Sequence, residues 1–211
     1  MLYFWKRFKT QIFSAFARAT DWALFLVIVA VGGLGSSWYM VEAGTRLTTQ
    51  RIGPWVAWKS QARIDADPYT RAHFARLGTL ALSTETATTF LARTDTTGDH
   101  FDASCVYEIS GQNPPAQWWS LTLFDQQGRL IANAADRYSF TADTVALSPD
   151  GTLKISMARD AHEGNWLPFG NANNFALVMH LLEPGVSLLD EEGEEEDEAL
   201  TLPEIKKVSC R

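Results

Sequence analysis

Six side chains in this sequence are of types that recognise ligands: Trp118, Trp119, Arg71, Arg137, Asn165 and Trp166. An exposed indole stacks on a sugar ring or on a partner chain. A guanidinium grips a carboxylate with two parallel bonds, and a carboxamide both donates and accepts. Trp118 and Trp119 are adjacent, so on a strand their rings point to opposite faces, one toward a core and one toward a surface or groove. Each residue also has a plainer reading. Both indoles can be buried between a sheet and a covering helix, and Arg137 can close a strand-end salt bridge. Asn165, in Asn165-Trp166-Leu167-Pro168, can cap local backbone.

Groupings that would do catalysis are weaker. Glycan cleavage commonly uses two carboxylates, yet Glu108 reads as a strand residue, Asp125 as a turn residue, and Asp99 and Asp102 as loop residues. No spacing forces any two together. His73, His100, His162 and His180 lack the His-x-x-x-His interval of a metal site. Neither a Gly-x-Ser-x-Gly elbow nor a phosphate-cradling glycine loop occurs. The sequence predicts no metal and no cofactor, and it leaves enzyme activity open.

The elements that must position these side chains are mostly strands. From Pro114 to Phe140, Trp119, Leu121 and Leu123 alternate with Ser120 and Thr122, the period of a strand with one buried face. Asp125-Gln126-Gln127-Gly128 is a turn, and Arg129 to Ala132 is expected to return antiparallel. Strands are also expected over Ala87–Arg93, Val106–Ser110, around Leu153, Ile155 and Met157, and from about Phe175 to Leu182 before Pro184. Asp67-Pro68 predicts a helix start, with Asp as cap and Pro in the first turn, and Gly78 its stop. Tyr69, His73 and Leu77 mark the face expected to pack. Short strands with regular turn signals predict a mainly β protein, an antiparallel sandwich with a short helix.

Ahead of this body, Trp22 to Met40 holds 19 residues without a charge, roughly 28 Å of helix and close to a hydrocarbon core. Trp22, Trp38 and Tyr39 bracket it as interfacial anchors. The leader before it carries Tyr3, Phe4, Trp5 and Phe8 among Lys6, Arg7 and Lys9, suited to a helix in the headgroup layer of the membrane lipid. Four cations precede the span, whereas Arg46 and Arg51 alone follow within 15 residues. That bias predicts a cytoplasmic N-terminus and a body on the far side of a membrane crossed once; in a bacterium that is a periplasmic body held at the inner membrane. A cleaved signal peptide is the rival, disfavoured by the long leader and the missing Ala-x-Ala site. Gly32/Ser36 and Gly33/Ser37 permit a partner helix without demanding one.

The net charge of −7 is concentrated: eight of the 25 carboxylates lie between Asp190 and Glu198, leaving 17 acids against 18 bases. Such a run repels itself and is expected to be disordered. The rest of the chain shows no basic face for nucleic acid. Cys105 and Cys210 are too few for a disulfide framework. The expected compartment permits a bridge, but Cys210 would have to pin a tail, so pairing stays open. The organisation expected is an amphipathic leader (1–21), a transmembrane helix (22–40), a connector (41–66), a β-sandwich (67–185) and an acidic tail (186–211).

The stretch from Pro114 to Phe140, with its Pro-Pro, Trp-Trp-Ser strand, Asp-x-x-Gly turn and Arg137-Tyr138, resembles the signature of the bacterial domain of unknown function 1214 family. Asp67-Pro68-Tyr69-Thr70-Arg71-Ala72, Asp150-Gly151-Thr152-Leu153 and Asn165-Trp166-Leu167-Pro168 resemble its other blocks, in order, across roughly Gly53 to Pro184. Ala134-Ala135-Asp136 departs from the Asn-Pro-containing segment usual before Arg-Tyr. The resemblance implies a jelly-roll-like β-sandwich. It also implies a partner, because the domain often accompanies the family of unknown function 1254, fused or encoded nearby; a separate inner-membrane protein of that type is the partner to expect. It brings no activity with it. Two functions follow for test: a tethered, non-catalytic envelope domain that binds a partner protein or a saccharide, or a hydrolase of envelope glycans or glycopeptides.

Overall fold

The computed structural model describes residues 2–84, 86–184 and 200–211, with side chains from Arg18 onward. The run Asp190–Glu198 and the side chains of the leader lie outside the described residues. The chain divides into two units, one ending at Thr45 and one running Arg46–Arg211.

The first unit is one helix, α1 (Leu2–Ala43). The expected leader and span are therefore a single element. No Gly or Pro occurs before Gly32 to interrupt the hydrogen-bond ladder. Within α1, Arg18–Ala43 is 26 residues long and apolar enough to cross a membrane, and none of it is buried. That stretch exceeds the expected 22–40, and Trp22, Trp38 and Tyr39 are exposed along it. Gly44 ends the helix in the left-handed region (φ 67°), its N–H donating to the Met40 carbonyl.

The described residues of the second unit are mainly β, with two sheets and one helix. Its elements are β1 (Thr49–Ile52), β2 (Trp55–Trp58), α2 (Pro68–Leu77), β3 (Ala87–Ala92), β4 (Cys105–Gln112), β5 (Ala116–Asp125), β6 (Ser139–Thr141), β7 (Thr152–Ala158), β8 (Trp166–Pro168), β9 (Phe175–Pro184) and β10 (Glu204–Cys210). One sheet runs β1-β2-β3-β9-β5-β6 and the other β10-β4-β7-β8. All pairings are antiparallel except β7 with β8, which is parallel. The inward faces meet in one core: Trp55, Phe90, Trp119, Leu121 and Met179 from the first sheet, Tyr107, Ile109, Ile155, Leu167 and Ile205 from the second. Alternation does this, since each strand sends every second side chain inward.

Three expectations are corrected. The 41–66 connector contains β1 and β2, and Trp55 of β2 is wholly buried. The strand returning after Gly128 is not Arg129–Ala132, which contributes only the bridge between Leu130 and Phe124; β6 pairs with β5 instead. The C-terminal residues are no tail, because β10 pairs with β4 and Cys210 is joined to Cys105, its cross-strand neighbour. Ile205 draws this strand in by occupying the core.

Helix α2 starts and stops as its sequence predicts. Asp67 Oδ1 accepts from the Tyr69 and Thr70 amides, and Gly78 (φ 65°) closes the C-terminus. Its packed face differs: Thr70 is buried and Leu77 exposed. His73 stacks on Trp58 with centroids 4.2 Å apart, and Phe74 meets the same indole edge-on. Thr70, His73 and Phe74 are the i, i+3, i+4 stripe that faces β2.

Candidate functional site

Five of the six singled-out residues lie on β5, on β8 or in the loops that lead into β6 and β8. Trp119 is completely buried, its indole N–H donating to Asn113 Oδ1. Trp118 points the other way, half-buried, with its N–H on Asp143 Oδ2 at 2.9 Å. Arg137 donates through Nη1 to the Trp166 carbonyl and lies over the Phe140 ring, 5.5 Å from its centroid. Among the described residues it forms no strand-end salt bridge; a carbonyl and an aromatic face hold it. Asn165 spends its amide on backbone, accepting from the Ala146 N–H and donating to the carbonyls of Ala146 and Lys154. The Trp166 indole donates to the Ala158 carbonyl at 3.0 Å. These three residues fasten loops to β7 and β8. Arg71 is exposed on α2, an element packed on Trp58 and outside this group.

Other loops of the sandwich line two open depressions. The first, about 530 Å³, is lined by Gln126, Gln127, Asn171, Asn173 and Asn174 together with Arg129. The second, about 500 Å³, shares Asn173 and is lined by Asp102, Ser104, His162 and Arg211 beside the bridged Cys105. Sequence reasoning singled out none of these amides. Their signal was present in the pairs Gln126-Gln127 and Asn173-Asn174, but polar loops are ordinary.

The loop between the depressions is built to hold its shape. Phe169 and Phe175 stack at 4.8 Å across its ends, and Phe175 stacks on Phe101 at 5.3 Å. Gly170 stands at φ 51°, where a Cβ would come within 2.4 Å of the Ala132 carbonyl oxygen. On the facing side, Asn133 accepts from the Arg137 N–H and donates to the carbonyls of Ile131 and Arg137. Ala134-Ala135-Asp136 is thereby closed into a turn without proline. Gly170→Ala is expected to cost at least about 2 kcal/mol, from left-handed strain and the clash together. Urea denaturation checks it; an unchanged midpoint would show that the loop does not press on Ala132.

The carboxylates here are committed. Asp125 accepts from the amides of Arg129 and Gln127 and from Arg129 Nε, and the Arg129 amide bond leads in holding its pKa below the ordinary value. Asp102 is lowered by the Ser104 amide and then its hydroxyl. Asp160 pairs with Arg211. Among the described residues, every carboxyl group with a displaced pKa is displaced downward. A general acid needs the opposite shift. No group of three or more His, Cys, Asp or Glu among the described residues is arranged to hold a metal.

His180, on the outer face of β9, accepts or donates through Nδ1 to Thr89 Oγ1, and desolvation holds its pKa below the ordinary imidazole value. The folded state therefore resists protonation that the unfolded chain accepts. This cost is absent above the unfolded value, about 6.5, and grows as pH falls below it until the folded value is passed. His180→Gln is expected to flatten the loss of stability just below about pH 6.5, measured as thermal midpoint against pH. An unchanged slope there would contradict the assignment.

Comparison with known proteins gives the following. The model of the family described as Protein of unknown function (DUF1214) matches residues 86–186. The crystal structure of the VPA0106 protein from Vibrio parahaemolyticus is similar over 69% of this chain, with a TM-score of 0.53 and 24% identity. An uncharacterised protein from Burkholderia cenocepacia aligns over 76% of this chain with a TM-score of 0.40 and 16% identity. In each case the match spans 36% of the other chain, so the aligned part of this protein corresponds to about a third of those structures. No curated protein matches the chain.

Proposed function

We infer that this chain, which carries a DUF1214 domain over residues 86–186, is a membrane-tethered binding and assembly domain of the bacterial cell envelope that pairs with another inner-membrane protein. The observation that carries the reading is the chemistry of the depressions. They present carboxamides, which recognise, while their carboxylates are already held by local amides, Ser104 and arginines. Hydrolysis of glycans would need one carboxyl kept protonated near neutral pH, opposite the downward shifts here. A partner's loop and a saccharide both suit the amide-rich surface, since each offers peptide or hydroxyl groups to bond.

The topology part of the reading has two supports. Four cations precede the apolar stretch and two follow closely, and the Cys105–Cys210 bridge suits an oxidising compartment such as the periplasm. The partner part is supported by the match to the Vibrio parahaemolyticus structure, of whose chain the aligned part is 36%. There the sandwich is one portion of a longer chain, and here a second chain of the 1254 type would supply the rest. Extraction of native membranes in mild detergent, followed by affinity capture of the full chain, is expected to recover a larger membrane protein of that type. Recovery of the chain alone, with the Asn173→Ala variant behaving identically, would contradict the reading.

A further inference from the structure

The edge of the domain formed by β1, β2 and α2 differs from the rest in charge and in exposed surface. Residues 46–84 carry six Lys or Arg (Arg46, Arg51, Lys59, Arg63, Arg71, Arg76) against two carboxylates, Asp65 and Asp67. Residues 87–184 carry five against eleven. The near-neutral body is thus polar in the electrical sense, with its positive end on one edge. The same edge holds the exposed aliphatic side chains. Outside α1, eight large hydrophobic residues are exposed among the described residues, and Leu47, Ile64, Leu77, Leu80 and Leu82 are five of them. Ile64 and Leu80 are 102% exposed, as free as in an extended peptide.

These residues belong to one construction. β1 is the outermost strand of its sheet, and α2 is fixed to β2 through Trp58, His73 and Phe74. The loops on either side of α2 are tied together, Gln61 Nε2 donating to the Leu82 carbonyl and the Thr84 amide to the Gln61 carbonyl. Leucines and an isoleucine held outward on a tied frame gain nothing from water. A frame that is also cationic suits an anionic bilayer surface, where aliphatic side chains enter the interface and Lys and Arg lie over headgroups.

Chain length brings this edge to such a surface. Leu47 follows Ala43, the last residue of α1, by four positions, a reach of at most roughly 14 Å. If α1 spans, Arg46 and Leu47 are held within that reach of the interface. We propose that the β1–β2–α2 edge rests on the bilayer that α1 crosses, giving the domain a second, peripheral contact with anionic lipid. The proposal rests on the anchoring reading of α1 and adds to it a fixed face for the domain. It leaves the amide-lined loops to meet a partner.

The test uses the full chain in vesicles of phosphatidylethanolamine with or without phosphatidylglycerol. A fluorophore on a single introduced cysteine replaces Ile64, Leu80, Leu147 or Leu34, and nitroxide-labelled lipid is the quencher. Probes at 64 and 80 are expected to be quenched at least about twofold more than the probe at 147, only where phosphatidylglycerol is present, and less at high salt. Lys59→Glu with Arg71→Glu is expected to remove the difference. Equal quenching at 64, 80 and 147, with the probe at 34 strongly quenched, would overturn the proposal and leave the anchor standing. An unquenched probe at 34 would instead show that α1 does not span. Shielding at 64 and 80 that ignores lipid composition but grows with protein concentration would assign the edge to a second copy and overturn the proposal too.

Discussion

Replacing Cys105 and Cys210 together by alanine is expected to lower the unfolding free energy of the sandwich by about 3–5 kcal/mol. The bridge joins residues 105 positions apart, so cutting it returns a long loop's worth of freedom to the unfolded chain. The loss falls on an edge strand. Among the described residues β10 pairs with β4, with a shift of register between Lys207 and Ser209. Ile205 in the core, the two hydrogen bonds between Ile205 and Thr96, the Trp55 indole N–H on the Pro203 carbonyl, Lys207 on Asp99 and Arg211 on Asp160 also hold it. Urea denaturation of the double variant under non-reducing conditions, beside the reduced parent protein, checks the value. A change below about 1 kcal/mol would mean that β10 keeps its place without the bridge.

Trp119→Ala is expected to destabilise by about 3–5 kcal/mol, and Trp118→Ala by less than about 1.5 kcal/mol. Trp119 is fully enclosed, so its removal leaves a cavity among Leu121, Phe140 and the facing sheet that the core only partly refills. Its N–H partner Asn113 is exposed and can turn to water, which adds little. Trp118 loses a half-buried contact and one exposed hydrogen bond to Asp143. Denaturation midpoints give the comparison. The reverse order of effects would contradict the assignment of faces on β5.

Patterns that depend on neighbours in sequence were readable; those that depend on distant pairing were not. The alternation of Leu153, Ile155 and Met157 identified β7, and Asp67-Pro68 with Gly78 bounded α2, because a pleat and a cap are local. β1 and β2 are four residues each, too short to show a period, and they read as a connector. β10 was hidden behind an acidic run and owes its place to pairing with β4 about a hundred residues earlier. Arg129 to Ala132 looked like a returning strand because Leu130 and Ile131 are apolar. Ile131 instead enters the core from a loop that Asn133 closes. The six candidate recognition residues were legible by type, yet Trp119, Arg137, Asn165 and Trp166 are spent on packing or on backbone. Amides that line a depression carry no period, and only the fold gathers Gln126, Gln127, Asn171 and Asn173 around one.

In the proposed topology α1 crosses the inner membrane once and holds the sandwich on its outer side. Protease added to spheroplasts of cells making the full chain, tagged before Met1, tests it most directly. The account predicts that the sandwich is attacked or released from outside while the tag stays whole until the membrane is broken. A tag removed from outside, with Arg46–Arg211 protected, would contradict it.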